Sequence, residues 1–222
     1  MCLLERPEND DKILFVAGSS TEVYGFSLES HEIVDIWTIG DQQEITCMDC
    51  VNFEDGGTVF VIGTEGGILY MRIDWEESPR TYNCQKTIHD VKFSSDCFYL
   101  IAAVDDSHVY VFILNNNSYF TMQPKKIQFE GEIPISIDML DDNKNFLIGT
   151  NIRNQYKVEL PDLKSKNLLH ENEKINCTIW NIRYPLHTKN YANSMLPIII
   201  GGDIKVFLCA GESGYLYFWR DL

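Results

Sequence analysis

Residues 88–113 read IHDVKFSSDCFYLIAAVDDSHVYVFI. Two apolar runs, FYLIAA and VYVFI, flank Asp105-Asp106-Ser107-His108. Asp and Ser bond their own backbone and tolerate tight turns, so the stretch predicts two strands joined by a short turn. The first run is apolar at nearly every position, the mark of a strand covered on both faces. One hairpin decides little; a hairpin repeated along the chain decides the fold.

The hairpin is repeated. Gly18 to Tyr24 follows ILFVA, Gly63 to Tyr70 follows TVFVI, Val104 to Tyr110 follows FYLIAA, and Gly211 to Tyr217 follows VFLCA. In each copy a small or apolar residue ends one run and an apolar residue stands five positions later. A fifth copy, Gly149 to Val158, follows NFLI with a turn one residue longer. The anchors Gly18, Gly63, Val104 and Gly149 lie 41 to 45 residues apart, the period of propeller blades. The interval to Gly211 is longer, and Tyr184 to Ile200, with Pro185 and Pro197, reads as the insertion that fills it.

Each copy therefore predicts the middle strands, b and c, of a four-stranded blade. Ile45 to Cys50, Ile88 to Phe93, Ile135 to Met139 and Cys177 to Ile182 are read as the preceding strand a. Ile33 to Ile39 and Lys126 to Phe129 are read as the following strand d. The expected fold is an all-β propeller over 1–222, with five blade signatures at roughly 11–39, 45–75, 88–129, 135–170 and 176–222. The first signature has no obvious strand a, and MCLLERPEND reads as too polar for a closing strand. The ring is therefore expected to be incomplete, or a fragment of a larger propeller.

Composition bounds the function. With 18 basic and 33 acidic side chains the formal net charge is −15, which disfavours nonspecific binding to nucleic acid or anionic lipid. The amino terminus has no basic region followed by an apolar run, and the apolar runs are strand-sized. Seven cysteines at irregular spacing make a poor disulfide framework. A soluble intracellular protein is expected, with the sequons at Asn116 and Asn176 unused.

These repeats resemble the WD-repeat family. Asp105-Asp106 matches that family's turn Asp, and Phe218-Trp219-Arg220-Asp221 approximates its strand-c ending. No Gly-His and no Trp-Asp pair occurs, so the family's His–Ser–Asp–Trp tetrad is incomplete in every blade. A narrower resemblance covers roughly the second half of the chain. Ile88 to Ser94 with Asp105 to Phe112, then Ile135-Ser136-Ile137-Asp138, are similar to successive blades of the echinoderm microtubule-associated protein-like family. Cys177-Thr178-Ile179-Trp180 and Gly201-Gly202-Asp203-Ile204 are similar to its next, interrupted blade. That resemblance implies a rigid propeller whose partner is tubulin or a cytoskeletal complex, in the cytoplasm or the cilium.

Chemistry is sparse. Cys47-Met-Asp-Cys50 has C-x-x-C spacing, yet on a strand residues three apart point to opposite faces, so ordinary reduced thiols are expected. His89 and His108 lie near Asp90, Asp105 and Asp106, the residue types of an acid–base cluster, but no nucleophile motif or phosphate loop accompanies them. Trp37, Trp180 and Trp219, with Tyr24, Tyr70, Tyr110 and Tyr217, are read as packing between blades. Asn115 to Ser118 reads as a polar loop, and Leu163 to Lys174 as a short helix or a strand d.

No catalytic residue, metal ligand or cofactor is assigned. Two functional classes remain. A propeller enzyme, hydrolase-like, requires carboxylates or histidines from three or more blades to meet at the central channel. An interaction scaffold requires recognition residues on the loops of one face. The scaffold is the expected function, with a protein partner held through Glu65, Asp105, Asp106, His108, Asn151 and Glu212 on the b–c turns.

Overall fold

The run Tyr99–Val104 is buried at every position, and its alternate residues go to different places. Leu100, Ala102 and Val104 pack with Val59, Val61, Leu69 and Met71, which precede them in the chain. Tyr99, Ile101 and Ala103 pack with Ile137, Phe146, Ile148 and Val158, which follow. A strand sandwiched between two sheets alternates toward both, which is why it reads as continuously apolar. Each fully buried Val, Leu or Ile contributes roughly 1.5–3 kcal/mol, so the layers between sheets are the core.

The computed structural model describes residues 2–5, 12–18, 20–40, 43–52, 57–73, 78–114, 123–140, 143–152, 154–160, 178–181, 192–200, 204–211 and 216–220. For Glu5, and from residue 178 onward, the description is of backbone alone. Among these residues there is no helix, and none therefore long and apolar enough to cross a membrane.

Five antiparallel sheets follow one another along the chain. The first holds β1 (Cys2–Glu5), β2 (Lys12–Ala17), β3 (Glu22–Ser27) and β4 (Ile33–Thr38). The second holds β5 (Ile45–Asn52), β6 (Thr58–Thr64), β7 (Ile68–Ile73) and β8 (Arg80–Asn83). The third holds β9 (Ile88–Phe93), β10 (Tyr99–Val104), β11 (His108–Ile113) and β12 (Lys125–Gln128). The fourth holds β13 (Pro134–Met139), β14 (Asn145–Thr150), β15 (Gln155–Glu159) and β16 (Thr178–Asn181). The fifth holds β17 (Ala192–Ile200), β18 (Ile204–Gly211) and β19 (Leu216–Arg220). The inner strands β1, β5, β9, β13 and β17 stand side by side in chain order. Meandering four-stranded sheets arranged in this way are the blades of a β-propeller.

Three strands differ from the sequence reading. The polar-looking amino terminus supplies β1, the inner strand of the first sheet. Its polar residues begin after Leu3 and Leu4, and Leu4 is buried beside Ile13 and Phe15. Thr178–Asn181, expected as the inner strand of the last blade, instead pairs with β15 at the outer edge of the fourth sheet. The inner strand of the fifth sheet is Ala192–Ile200, inside the stretch read as an insertion. Pro197 disguised it, since proline argues against a paired strand but is tolerated where the N–H faces away from the ladder.

The register is tighter than the sequence anchors indicated. Ala17 pairs with Val23, Gly63 with Leu69, Ala103 with Val109, Gly149 with Gln155 and Ala210 with Leu216. The paired residues are six apart in all five copies, so the fourth turn is not longer. Each inner strand from the second sheet to the fifth also begins with a bulge, opposite the end of its strand b.

Candidate functional site

The turns joining strands b and c meet the segments that lead into the inner strands, and a run of hydrogen bonds ties them into one face. Ile45 N–H donates to Ser20 O at 3.3 Å, and Glu65 N–H to Glu44 O at 3.0 Å. Thr87 Oγ1 donates to Glu65 O at 2.9 Å, and Asp105 N–H to Thr87 O at 2.9 Å. In the fourth sheet Asn151 N–H donates to Ile133 O, and Ile133 N–H to Asn151 Oδ1, both at 2.9 Å. Backbone shape fixes this face. Gly67 has φ +83°, and a Cβ there would lie 2.5 Å from the Lys86 backbone. Ser107, at the equivalent place in the third sheet, holds φ +64° without glycine's freedom.

The residues expected to bind a partner divide on this face. Glu65 is exposed, and among the described residues its carboxylate has no partner. Asp105 is half-exposed, and its Oδ1 lies 3.2 Å from His89 Nε2. His89 is the bulged residue of β9, and the bulge turns its side chain toward the turn. Asp106 is committed internally: it accepts from Tyr110 OH at 2.7 Å and from His108 N–H at 3.2 Å, with Lys126 Nζ at 3.8 Å. His108 Nδ1 lies 2.7 Å from Asp106 O, inside the same turn. Asn151 closes its own turn as described above. Glu212 lies outside the described residues. The set read as an acid–base cluster separates into two local pairs, His89 with Asp105 and His108 with Asp106, while Asp90 points elsewhere.

A tyrosine ladder underlies the face. Tyr24, Tyr70, Tyr110 and Tyr156 occupy the same register, one residue past the strand-c partner. The hydroxyls of Tyr24 and Tyr110 donate to Glu22 and Asp106, and that of Tyr156 to Glu132 at 2.7 Å. Burial, then the Asp106 carboxylate, raise the Tyr110 phenol above its ordinary pKa. Tyr70 and Tyr110 are buried, as packing residues should be. Tyr156 went unnoticed because its copy was aligned one residue out of register.

The inner strands carry a second polar group that the sequence reading did not assemble. Asp49 on β5, Asp90 and Lys92 on β9, and Asp138 on β13 come from three consecutive sheets. Asp49 Oδ2 accepts from Phe93 N–H of the next sheet at 2.8 Å, and Lys92 Nζ lies 3.7 Å from its Oδ1. Asp90 Oδ2 accepts from Ile137 N–H of the next sheet at 2.8 Å, while its Oδ1 accepts from Val91 N–H at 2.9 Å. Asp49 thus staples β5 to β9, and Asp90 staples β9 to β13. Asp138 sits at the level of Asp49, and the residue level with Phe93 in the fifth sheet is Pro197. Proline has no N–H. Among the described residues Asp138 Oδ2 is buried without a hydrogen bond, as is Ser136 Oγ two residues earlier.

Electrostatics follow from that difference. Burial lifts Asp90 to about 6 against the pull of the Ile137 N–H and Lys92. Burial lifts Asp138 further, to about 7, with Lys92 opposing. Burial also raises Asp49, and Lys92 and the Phe93 N–H offset part of it. Burial pulls Lys92 down, but Asp49, Asp90 and Asp138 together hold it above its ordinary value. The two C-x-x-C thiols point to different neighbours, Cys47 Sγ to Ile88 O at 3.8 Å and Cys50 Sγ to Leu3 O at 3.5 Å.

No protein-family model and no curated protein sequence matches the chain. Solved structures do. BBS1N in complex with ARL6DN superposes with a TM-score of 0.64 and 16% identity, over 98% of this chain and 63% of that one. A chain from the crystal structure of the Chaetomium thermophilum polycomb repressive complex 2 gives 0.70 and 10%, over 99% of this chain and 54% of that one. A chain from a humanized mutant of the same complex gives 0.70 and 11%, over 99% and 54%. These are β-propeller chains, so the likeness establishes the fold as a β-propeller. This chain spans 63% and 54% of their lengths.

Proposed function

We propose that this chain is a non-catalytic interaction scaffold whose turn face receives a protein partner. The observation that carries the reading is the turn face itself. Its backbone is locked from Ser20 through Glu65 and Thr87 to Asp105, while the Glu65 carboxylate and the His89–Asp105 pair remain at the surface. A rigid frame presenting outward polar groups is what recognition by loops requires. Both kinds of solved neighbour come from protein complexes, which supports the same reading.

The finer proposal names a cytoskeletal partner, tubulin or a ciliary complex, and a cytoplasmic location at such structures. The likeness of Ile88 to Ser94 and Ile135 to Asp138 to the microtubule-associated family supports it. Net charge does not, because the chain is acidic and tubulin's tails are acidic too, so binding would use contacts away from those tails. The experiment is microtubule co-sedimentation beside a pull-down, for wild type and a Glu65→Lys/Asp105→Lys double variant. Saturable pelleting that the double variant loses supports the cytoskeletal reading. A different partner, lost by the same variant, keeps the scaffold and removes tubulin.

A second reading rests on the inner carboxylates. Three sheets contribute them, the arrangement a channel enzyme would need, and Asp138 has a pKa suited to acid–base work near neutrality. Against it, Asp49 and Asp90 are engaged with backbone N–H groups of the next sheet. Hydrolysis of ester or phosphoester reporters that is abolished by Asp138→Asn would favour this reading.

A further inference from the structure

The outer strands of the first three sheets are not alike. β8 carries Arg80 and β12 carries Lys125 and Lys126, and charged residues of this kind guard a sheet edge against pairing. β4 reads Ile-Val-Asp-Ile-Trp-Thr, with no Lys, Arg or Pro. Its single charge, Asp35, faces inward to Arg72 at 3.9 Å, and Arg72 also lies over the Trp37 ring at 5.4 Å. Ile33, Val34 and Ile36 are 50%, 43% and 55% exposed, and Leu28 in the turn before them is 45% exposed. No other outer strand among the described side chains shows such exposure.

Among the described residues no strand pairs with the outer side of β4. Ile39 N–H donates to Thr21 O, and Trp37 pairs with Val23, so alternate residues face β3. Ile36 and Thr38 therefore direct their N–H and C=O groups away from the sheet. The bulge at Val34 limits that ladder on one side. Charge completes the description. From residue 13 to residue 71 the sequence has ten acidic side chains and no Lys or Arg, and Glu29 and Glu32 stand exposed in the turn that leads into β4.

We infer that the edge of β4 is a docking site for an extended, basic segment of a partner protein, added as a further strand alongside Ile36 to Thr38. The segment alternates apolar and basic residues. Its apolar side chains extend the surface formed by Val34 and Ile36, and its Lys or Arg side chains lie in the acidic field of the first two sheets. Main-chain bonds supply affinity and the alternation supplies selection. A second copy of this chain fits poorly, because it would bring Glu29, Glu32 and their counterparts together. The inference stands apart from the turn-face reading, since it uses the outer rim and none of the turn residues.

The test uses the full chain and a capped nine-residue peptide alternating Val and Lys, followed by fluorescence anisotropy and amide hydrogen exchange. Saturable binding is expected, weakening at least tenfold between low and high salt, with slowed exchange at Ile36 and Thr38. Ile36→Lys and, separately, Val34→Lys are expected to weaken it tenfold or more while leaving the melting temperature near that of wild type. A peptide N-methylated on its bonding edge should fail to bind. The inference is overturned by equal affinity for a Val–Glu peptide, by binding indifferent to both variants, or by protection that appears elsewhere. Self-association of the chain that protects β4 without peptide would also overturn it, in favour of a second copy.

Discussion

The inner strands and the turn face of the same three sheets both carry carboxylates, and they use them in opposite ways. Along the inner strands Asp49 and Asp90 each lend an oxygen to a backbone N–H of the next sheet. On the turn face the Glu65 carboxylate is at the surface and Asp105 reaches only a half-exposed histidine. Environment, not residue type, separates carboxylates that hold blades together from carboxylates left at the surface. Within the inner strands there is a finer contrast. Asp138 has the position of Asp49, but the position level with Phe93 in the fifth sheet is Pro197, which has no N–H to offer the staple.

The largest way to break the comparison lies under the turn face. Gly67→Ala puts a Cβ against the Lys86 backbone at a positive φ, and is expected to cost about 3 kcal/mol in urea unfolding. Next, Asp90→Ala leaves the Ile137 N–H without its acceptor, at an expected cost of about 2 kcal/mol. Asp138→Ala removes only the acceptor of the local Met139 N–H and no bond to the next sheet, so its expected cost is smaller, below about 1 kcal/mol. Equal losses in the two alanine variants would remove the staple as the distinction between the junctions.

A smaller effect of opposite sign concerns pH. Asp90 and Asp138 have folded values of about 6 and about 7, above the ordinary carboxylate value of ~4. Between that value and 7 the folded chain binds more protons than the unfolded one, so stability falls as pH rises through this window and levels off above it. Asp138→Asn is expected to raise stability at pH 8 by about 1 kcal/mol and to flatten the slope between pH 5 and 7. A slope unchanged from wild type would mean that Asp138 does not titrate there. Smallest of all, Glu65→Lys should leave stability within about 0.5 kcal/mol, since its carboxylate holds nothing.

Much of this architecture was legible in residues 88–113, because a strand covered on both faces is written as an unbroken apolar run and its turn as Asp-Asp-Ser. The strands around β6, β10 and β14 were found for that reason. β1 and β17 were missed for a shared reason. An inner strand has one unpaired edge, so it tolerates a polar context, as at Cys2–Glu5, or a proline, as at Pro197. Asp49, Asp90 and Asp138 were visible as letters, but their levels are set by the bulges that begin β5, β9 and β13, and no local pattern announces those. Glu132 was likewise missed: it is buried, bonded to Tyr156 OH and to Asn154 Nδ2 at 2.6 Å, and becomes visible once Tyr156 is put in register.

The central claim, that turn-face carboxylates face a partner while inner carboxylates hold blades, is tested most directly by one binding measurement on two variants. A partner recovered with the wild-type chain is titrated against Glu65→Lys/Asp105→Lys and against Asp90→Ala, with the melting temperature of each recorded. The account predicts at least tenfold weaker binding for the turn-face variant at an unchanged melting temperature, and wild-type affinity for Asp90→Ala at 20 °C despite a lower one. Full affinity in the turn-face variant, or weakening that simply follows the melting temperatures, would contradict it.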